Sequence, residues 1–533
     1  MHLFTLLALP PLLLLTRYLF SLIYTTYTHR PLLSIPGPLP TRFTRLWYFT
    51  RLWAGHFEND NIALHKQYGP IVRIAPDHYS IDVSDRAAIK TIYGPGTRFA
   101  KAAWYEGWKH PDPDRWTLFP DRDIRRHGET RKRFAALYSM SSLVHYEAFV
   151  DSSADVFTTR LAQFADTNAT FNLGAWFQFY AFDVIGQITY GERFGTYLST
   201  FHSLQNVIAC ADVRGVIGFL DKGTDIDGTI AALQNLMTYS SLIGIYHEWH
   251  ATLFGPLSRF SWSGAGGRAY IMRYVSEKIA RYSARTPKER DVENKQLKTQ
   301  NFLEKMILAR DKDPEKVTDY HVFMMGLSNV IAGSDTTAIS LSAIMYHLLR
   351  NLGVLQKLQR EIDTFTEQGK CSARVTFKES QDMPYFQAVI KEALRMHSAT
   401  GLPFWRVVPE GGAEIAGRFF PAGAVVGVNA WVAHYDEDVF EDPHVFRPER
   451  WIEAECGLDA EKARVMNEMY MPFGLGSRTC LGKHISILEM SKLIPRILRE
   501  FEFTAERREW KTENHWFVKP VDFEVRVRRR EKV

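Results

Sequence analysis

The sequence predicts a mainly α-helical protein with a minor β region. Three observations predict this class: long stretches in which apolar residues recur three or four positions apart, only a few short alternating stretches, and a hydrophobic amino-terminal segment. The chain has 533 residues, 46% of them hydrophobic, and can bury a large core. No low-complexity linker or fixed-period repeat separates its parts. One large domain behind a membrane segment is therefore the simplest organisation.

The first element is the hydrophobic stretch over residues 3–24. It matches the ~20 residues that cross a bilayer as a helix, and Arg17 is its only charge. Because a basic start and a small-residue cleavage site are missing, we expect a retained anchor over residues 1–28 rather than a signal peptide. The arginines that follow it favour a cytosolic main body. A proline-rich hinge over residues 29–40 leads to the globular part, residues 41–533.

Helical patterns dominate the globular part, and strand patterns are shorter. Apolar spacing predicts helices over residues 271–282, 318–350, 353–368, 383–397 and 484–501. Alternation predicts strands over residues 71–76, 79–83, 424–431 and 523–528.

Composition excludes several classes of protein. The four scattered cysteines form neither a dense disulfide framework nor a C-x-x-C pair, which favours a reducing compartment. The net charge of +5 is too small to indicate a nucleic-acid partner. The one dense basic run, residues 526–532, is expected to be a solvated terminus.

The most informative stretch is MPFGLGSRTCLGKH, residues 471–484. It precedes a helical pattern, so Cys480 should lie at or just before a helix amino terminus, where free amides and the helix dipole stabilise a thiolate. The three glycines, Gly474, Gly476 and Gly482, let the backbone fold tightly around a group approaching the sulfur. A phosphate loop is excluded because no Gly-Lys-Ser/Thr ending is present. A buried structural cysteine remains an alternative.

Two further stretches are unusual. AGSDTT, residues 332–337, lies inside the predicted helix 318–350, although glycine costs ~1 kcal/mol in a helix interior and a buried aspartate needs a partner. A helix whose Ser and Thr side chains bond to their own backbone is the alternative. Glu392 and Arg395, in KEALRMH, are three residues apart and share a helix face, but such pairs are usually exposed and weak.

Together these stretches resemble the cytochrome P-450 (haem-thiolate monooxygenase) family, microsomal type. Residues 473–482 read F-G-x-G-x-R-x-C-x-G, which looks like the family's cysteine-ligand loop. Six such positions recur by chance on the order of once in 10⁸ windows. The chain is also similar to filamentous-fungal members that act on secondary metabolites. The resemblance covers nearly the whole chain after the prolines, and it implies the cytochrome P-450 fold, a large helical domain plus a small sheet-containing part.

The resemblance also implies the cofactor and the site residues. It implies haem b with Cys480 as the axial iron ligand. Asp335 and Thr336 would be the catalytic pair, supplying protons and hydrogen-bonding the activated oxygen. The residues implied to contact the cofactor are His127, Arg131, Arg406, Phe473, Gly474, Gly476, Arg478, Ala332 and Gly333, of which the basic residues would bind the haem propionates. Glu392, Arg395 and Arg450 would form a buried structural triad that holds the cysteine loop.

The implied activity is insertion of one oxygen atom from O2 into a lipophilic small molecule, a hydroxylation or epoxidation in secondary-metabolite biosynthesis. Because no flavin or nicotinamide motif is present, electrons should come from NADPH-cytochrome P-450 reductase, with cytochrome b5 as an auxiliary donor. The expected location is the endoplasmic reticulum membrane, single-pass, with the catalytic domain facing the cytosol. Two alternatives stay open: a haem-thiolate enzyme for rearrangement, dehydration or ring formation, which Asp335 and Thr336 disfavour, and a non-catalytic haem sensor.

The substrate itself cannot be read from the sequence. The aromatic segment 101–120 resembles the family's variable loop over the haem. An apolar pocket could be completed by Leu327, Val330, Leu402, Phe404, Trp516 and Phe517, although each of these residues could equally belong to the core.

Overall fold

The computed structural model describes residue 16 and residues 32–197, 216–284, 300–455 and 460–531. Except for Thr16, the predicted anchor over residues 1–28 lies outside the described residues, as does the start of the hinge. Within the described ranges, no single helix combines the length and the hydropathy needed to cross a bilayer. One bent pair, Asp319–Arg350 with Leu352–Glu367 at an angle of 110°, meets those criteria jointly.

Helices make up most of the structure, which confirms the predicted class. In chain order they are α1 (Leu46–Ala54), α2 (Phe57–Tyr68), α3 (Arg86–Tyr93), α4 (Ile124–Ala135), α5 (Met140–Leu143), α6 (Glu147–Thr167), α7 (Leu173–Tyr190), α8 (Phe219–Lys222), α9 (Thr229–Ile245), α10 (His250–Leu257), α11 (Gly264–Ser283), α12 (Phe302–Lys312), α13 (Asp319–Ala332), α14 (Asp335–Arg350), α15 (Leu352–Glu367), α16 (Phe377–Gln381), α17 (Pro384–Met396), α18 (Ala430–His434), α19 (Glu449–Glu455), α20 (Ala460–Met469) and α21 (Lys483–Glu500).

The strands are short and form small sheets. They are β1 (Ile71–Ala75), β2 (His78–Ile81), β3 (Ala100–Lys101), β4 (Phe171–Asn172), β5 (Gly195–Tyr197), β6 (Val216–Gly218), β7 (Arg406–Val407), β8 (Ala413–Ile415), β9 (Arg418–Phe420), β10 (Val425–Gly427), β11 (Phe501–Ala505), β12 (Thr512–Asn514), β13 (Val518–Pro520) and β14 (Glu524–Arg529). A five-stranded sheet has the order β1-β2-β10-β7-β3, in which β2 and β10 are parallel and the other pairs antiparallel. A three-stranded sheet has the order β11-β14-β4, and three two-stranded sheets complete the set.

The centre of the molecule is helical. Helix α7 is buried along most of its length and packs against α13 and α14. Helix α21, which follows the cysteine loop, packs against α6 and α14 on the other side. The two stretches that sequence analysis singled out, residues 471–484 and 332–337, therefore belong to elements that meet in the core.

Three elements differ from the sequence prediction. The helix expected over residues 318–350 is two helices, because Gly333 and Ser334 interrupt it. The strand expected over residues 424–431 ends at Gly427, because the Asn429 side chain accepts a bond from the Trp431 amide and begins α18.

The third difference is the basic carboxyl-terminal run. Its first residues form part of β14 rather than a solvated terminus, since Val525 and Val527 are buried in the sheet. Arg526 and Arg528 alternate with these valines and are exposed. Arg528 pairs with Glu502 of β11, and Arg526 pairs with Glu506, which follows β11.

Candidate active site

The cysteine loop is held by its own backbone and by glycine. The Cys480 amide donates to the Phe473 carbonyl at 2.8 Å, which closes the loop. Gly474 and Gly476 have φ values of 69° and 62°, in the left-handed region that favours glycine. A Cβ on Gly476 would lie 1.7 Å from the Tyr93 carbonyl oxygen, so only glycine fits there. Helix α21 begins three residues after Cys480, as the sequence predicts.

The Cys480 side chain is accessible although protein surrounds it. The residue is exposed, yet burial raises the pKa of its thiol. The amides of Gly482 and Lys483 and the charge of Arg131 act in the opposite direction on this pKa. Around Gly482 the space is open, since a Cβ there would meet no atom within 4 Å. These amides and Arg131 favour the thiolate and oppose the effect of burial on the sulfur.

The break between α13 and α14 lies beside this region. Tyr138 lies between α13 and the cysteine loop. Its hydroxyl donates to the Asn329 side chain of α13 at 2.5 Å. Burial and the charge of Cys480 both raise the pKa of Tyr138. At the break the Thr336 hydroxyl donates to the Ala332 carbonyl at 2.9 Å. Ala332, beside the break, is exposed although α13 is otherwise mostly buried. A Cβ on Gly333 would lie 2.6 Å from Ile185 of α7, which keeps this position small.

The Asp335 carboxylate does not contact the Thr336 hydroxyl. It is buried and accepts bonds from the Gln178 amide and, at 3.3 Å, from the Lys519 ammonium. These groups line a cleft of about 140 Å³ between α7, α14 and β13, together with Asn172 and Ser342. The structure thus places the predicted catalytic pair on two different faces of the helix. Sequence analysis missed Gln178 and Lys519, because no local pattern marks them.

The predicted basic residues form a cluster of cations. His127 and Arg406 are buried, whereas Arg131 and Arg478 are half-buried. Burial, followed by the charges of Arg478, Lys101, Arg131 and Arg406, lowers the pKa of His127 to about 3. Burial and the charge of Arg406 lower the pKa of Arg478 to about 10. Such mutual repulsion indicates a site that is completed by an anion.

The nearest carboxylate does not balance this cluster. Asp121 pairs with Arg126 at 2.7 Å, and Arg478 reaches only the Asp121 carbonyl, also at 2.7 Å. The Arg478 Nη2 atom is buried and makes no hydrogen bond within the described part of the chain. Lys101, which sequence analysis named only as part of a loop, lies buried in the same cluster.

The predicted triad is brought together. Arg395 donates to both Glu392 oxygens at 2.8 and 3.0 Å, and Arg450 donates to one of them at 3.0 Å. Glu392 and Arg395 are fully buried, and Arg450 is nearly so. The Trp451 indole donates to the same carboxylate at 2.9 Å.

One residue that sequence analysis missed connects this triad to the cysteine loop. Arg395 donates to the His434 carbonyl at 2.8 Å, and the His434 Nε2 atom accepts from the Met471 amide at 2.9 Å. Burial, followed by the charge of Arg395, lowers the pKa of His434 to about 3. The imidazole is therefore neutral at ordinary pH, and its Nε2 atom can accept the hydrogen bond from the amide of Met471, where the cysteine loop begins.

The predicted pocket residues divide into two groups. Leu327, Val330, Leu402 and Trp516 are buried core residues, whereas Phe404 and Phe517 are half-buried. The Trp516 ring packs against the rings of Trp104, Tyr105, Trp108 and Phe119 from segment 101–120 at 5.2–6.3 Å. Trp516 also has a φ of 100°, a strained conformation for a bulky residue that is typical of functional sites.

Comparisons with known proteins assign the chain to a family. A family model described as Cytochrome P-450 matches residues 35–525, and the chain belongs to this family. It is 36% identical over 521 residues to a pisatin demethylase of Fusarium vanettenii, covering 97% of this chain and 94% of the relative. It is 34% identical over 542 residues to the cytochrome P-450 monooxygenase cicH of Emericella nidulans, covering 98% of this chain and 99% of the relative. It is 32% identical over 517 residues to the monooxygenase gsfF of Penicillium aethiopicum, covering 96% of each.

The protein is thus an oxidoreductase of the cytochrome P-450 monooxygenase type, and the family uses haem b with an axial cysteine thiolate. The family also implies a redox-partner reductase, O2 and a lipophilic substrate. The residues present fit the cofactor. An accessible thiol lies beside helix amides, and a cluster of cations without a balancing carboxylate can accept the two haem propionates.

Proposed function

We propose that this protein inserts one oxygen atom from O2 into a lipophilic secondary metabolite, by hydroxylation or epoxidation, on a haem whose axial ligand is Cys480. The observation that carries the proposal is the cysteine loop. Its thiol is accessible, the amides of Gly482 and Lys483 stabilise negative charge on the sulfur, and a cation cluster without a balancing carboxylate lies nearby.

The cofactor, when bound, activates O2 by reduction and transfers one oxygen atom to the substrate. The chain contributes the thiolate of Cys480. The amides of Gly482 and Lys483 hydrogen-bond to its sulfur and reduce the electron density that it donates. Arg131, Arg406 and Arg478 would neutralise the haem carboxylates, and His127 would donate a hydrogen bond to one of them.

Asp335 and Thr336 move protons. Asp335, which lines the cleft beside Lys519, would be the acidic group that passes protons from this cleft toward the proposed haem pocket. The Thr336 hydroxyl, anchored to the Ala332 carbonyl across the helix break, is the hydrogen-bonding group on the pocket side. This arrangement favours a monooxygenase over an enzyme that rearranges an already oxygenated substrate.

An apolar, aromatic wall supports the proposed substrate class. Phe404 and Phe517 are half-buried and pack against the cluster that contains Trp104 and Trp516, and so does Ile331 beside the helix break. Fungal relatives named as monooxygenases and as a pisatin demethylase support oxidative tailoring of a secondary metabolite.

Electrons are proposed to arrive from NADPH-cytochrome P-450 reductase, with cytochrome b5 as an auxiliary donor. Arg125 and Lys132 of α4 and Lys483 beside the cysteine loop are exposed cations that an acidic partner surface could approach.

We also propose a single-pass anchor over residues 1–28 in the endoplasmic reticulum membrane, with the catalytic domain in the cytosol. Two adjoining segments expose large apolar side chains that could lie against a bilayer. These side chains are Leu39, Phe43, Leu46 and Trp53 in one segment and Trp249, Leu253, Phe260 and Trp262 in the other. Arg45, which donates to the Ile245 carbonyl at 3.1 Å, holds the segments together.

The central experiment is spectroscopic. The full-length protein, purified with haem, reduced and exposed to carbon monoxide, should show the red-shifted Soret band of thiolate ligation. Absence of this band in folded protein would contradict the assignment of Cys480 as the haem ligand. Cys480→Ala should abolish the band, whereas Cys371→Ala, which removes the other free thiol in the described part of the chain, should retain it.

Turnover separates the open alternatives. With reductase, NADPH and candidate pathway intermediates, wild type should form oxygenated products. Thr336→Ala should keep the band but divert reducing equivalents to peroxide, and unchanged coupling would count against the proton-relay role. NADPH consumption without any oxygenated product would favour a sensor or rearrangement enzyme.

A further inference from the structure

We propose that Glu58 and Asn514 are positioning residues that hold the strained turn at Trp516, and that this turn determines how well the substrate pocket fits a bulky apolar ligand. This inference rests on the proposed function, because it requires that the aromatic wall around Trp516 faces a substrate at the haem. Neither Glu58 nor Asn514 belongs to the cysteine loop, the helix break or the cation cluster.

The Asn514 side chain is fully buried and can point in only one direction. Its amide nitrogen donates to the Glu58 carboxyl group at 2.6 Å and to the Gly401 carbonyl at 3.1 Å. Its oxygen accepts from the Trp516 amide at 3.2 Å. Two acceptors on one side and one donor on the other exclude the flipped orientation. Asn514 therefore joins helix α2, which contains Glu58, to the turn that carries Trp516.

The turn depends on these bonds because its backbone is strained. The φ of 100° at Trp516 is rare for a residue with a side chain and persists only where the surroundings impose it. Asn514 accepts the Trp516 amide, and the Gly401 amide donates to the Trp516 carbonyl at 3.0 Å. A Cβ on Gly401 would lie 2.2 Å from the Asn514 amide nitrogen, so glycine permits this close approach. Both backbone polar groups of Trp516 are thus held by partners within the turn and its neighbour.

Glu58 fixes the Asn514 amide from the opposite side. Its carboxyl group is fully buried in the first turn of α2. The Asn514 backbone also bonds to this end of the helix, since its amide donates to the Gly55 carbonyl at 2.8 Å. Without an acceptor at position 58, one hydrogen of the Asn514 side chain would be buried without a partner, which is unfavourable. The side chain would then turn toward another acceptor and release the Trp516 amide.

Trp516 is the ring around which the aromatic wall is assembled. It packs against the aromatic rings of segment 101–120, and the ring centroids of Phe404 and Phe517 each lie 6.4 Å from its own. Phe404 lies two residues before strand β7, which carries one cation of the cluster, and Ile331 beside the helix break packs against the same wall. Movement of the Trp516 ring would therefore weaken the wall between the proposed haem site and the helix break.

The test uses two haem ligands of different size and the haem-loaded, full-length protein. Imidazole and clotrimazole both bind haem iron through a ring nitrogen, but only clotrimazole also carries bulky aromatic rings that contact a pocket wall. The shift of the Soret band gives the Kd of each. Wild type should bind clotrimazole more tightly. Asn514→Leu keeps the approximate size of the side chain without its hydrogen bonds. It should raise the Kd of clotrimazole at least about tenfold and that of imidazole less than about twofold.

Three further variants make the test specific. Glu58→Leu removes only the acceptor and should raise the ratio of the clotrimazole Kd to the imidazole Kd by about threefold or more. Glu58→Gln keeps an acceptor and should retain the wild-type ratio. Glu513→Gln, at the exposed residue before Asn514, should retain it as well. If Asn514→Leu does not accumulate, Glu58→Leu provides the same measurement.

A wild-type ratio in Asn514→Leu or in Glu58→Leu would overturn the inference. An equal rise of both Kd values would also overturn it, because a general disturbance of the haem site, rather than of the wall, would then explain the loss. Wild type that binds clotrimazole no more tightly than imidazole would likewise contradict it. Each of these failures is distinct from failure of the proposed function, which the wild-type carbon monoxide spectrum decides.

Discussion

Replacing Glu392 by glutamine tests how far the buried triad supports the protein. Glu392 is the only carboxylate that contacts Arg395 and Arg450 in the described structure, and all three side chains are buried. Glutamine keeps the shape of the side chain but removes its charge. Two buried guanidinium groups would then lack a counter-charge.

The expected loss of stability is large. Removing one partner from a buried ion pair costs about 3–5 kcal/mol, because the remaining charge stays desolvated. Here two cations lose the same partner, so the upper part of this range is expected. Total unfolding free energies of about 5–15 kcal/mol make this a substantial fraction. Arg450→Met should cost less, because Arg395 still neutralises Glu392.

The assay is guanidinium chloride denaturation of the haem-loaded protein, followed by tryptophan fluorescence and by the carbon monoxide spectrum. The two signals should fall together in Glu392→Gln, since His434 joins the triad to the cysteine loop. Glu277→Gln, which affects an exposed i,i+4 pair at 4.0 Å, is the matched control and should change stability little. A loss below about 1 kcal/mol, or a greater loss in Arg450→Met, would refute the reasoning.

Three further predictions concern other parts of the structure. Gly476→Ala should cost more than the ~1–2 kcal/mol of a left-handed residue, because its Cβ would strike the Tyr93 carbonyl, and denaturant midpoints measure this. Burial raises the pKa of Glu58 from 4.5 to about 7, so the unfolded chain ionises first. As the pH rises from 4.5 to 7, the unfolding free energy of wild type should therefore fall by about 3 kcal/mol relative to that of Glu58→Gln, as measured by denaturation across that range. Lys519→Met should alter the pH profile of NADPH coupling, because it frees Asp335, with an effect below the ~10²-fold loss of a proton donor.

Each of these predictions has a matched control. Gly474→Ala has the same left-handed φ but no close neighbour, so it should cost only the backbone strain, and an equal loss in both variants would contradict the steric argument. A constant stability difference between wild type and Glu58→Gln across pH would show that this carboxyl group ionises normally in the folded protein. Lys519→Arg should preserve NADPH coupling. If the pH profile of coupling in Lys519→Arg matched that of Lys519→Met, the role of the Lys519 charge in positioning Asp335 would be contradicted.

The sequence predicts those features of this protein that depend on local chemistry. Cys480 lies just before a helix amino terminus, as predicted, because the residues that follow it alone form the helix. The AGSDTT stretch is recognisable as unusual, but the helix predicted over residues 318–350 is broken there into two. The strand predicted over residues 424–431 is present but ends at Gly427, because the Asn429 side chain caps a helix at the end of the predicted range.

Partners from distant parts of the chain are beyond such reasoning. Lys101 meets Arg406 through strand register, and Lys519 meets Asp335 through the position of a carboxyl-terminal hairpin. His434 likewise reaches Met471 only because α18 packs beside the loop. None of these residues carries a local signal, since a single lysine or histidine is usually a surface or core residue.

The placement of Asp335 and Thr336 has a consequence for how reactants reach the haem. Successive residues of an α-helix point about 100° apart, so the Lys519 cleft and the proposed substrate compartment on the Thr336 side lie on different faces of α14. Water can then supply protons through one compartment while a bulky apolar molecule fills the other. A large substrate would keep solvent out of the reaction space without cutting off the proton supply, and tight packing and turnover need not compete in this enzyme.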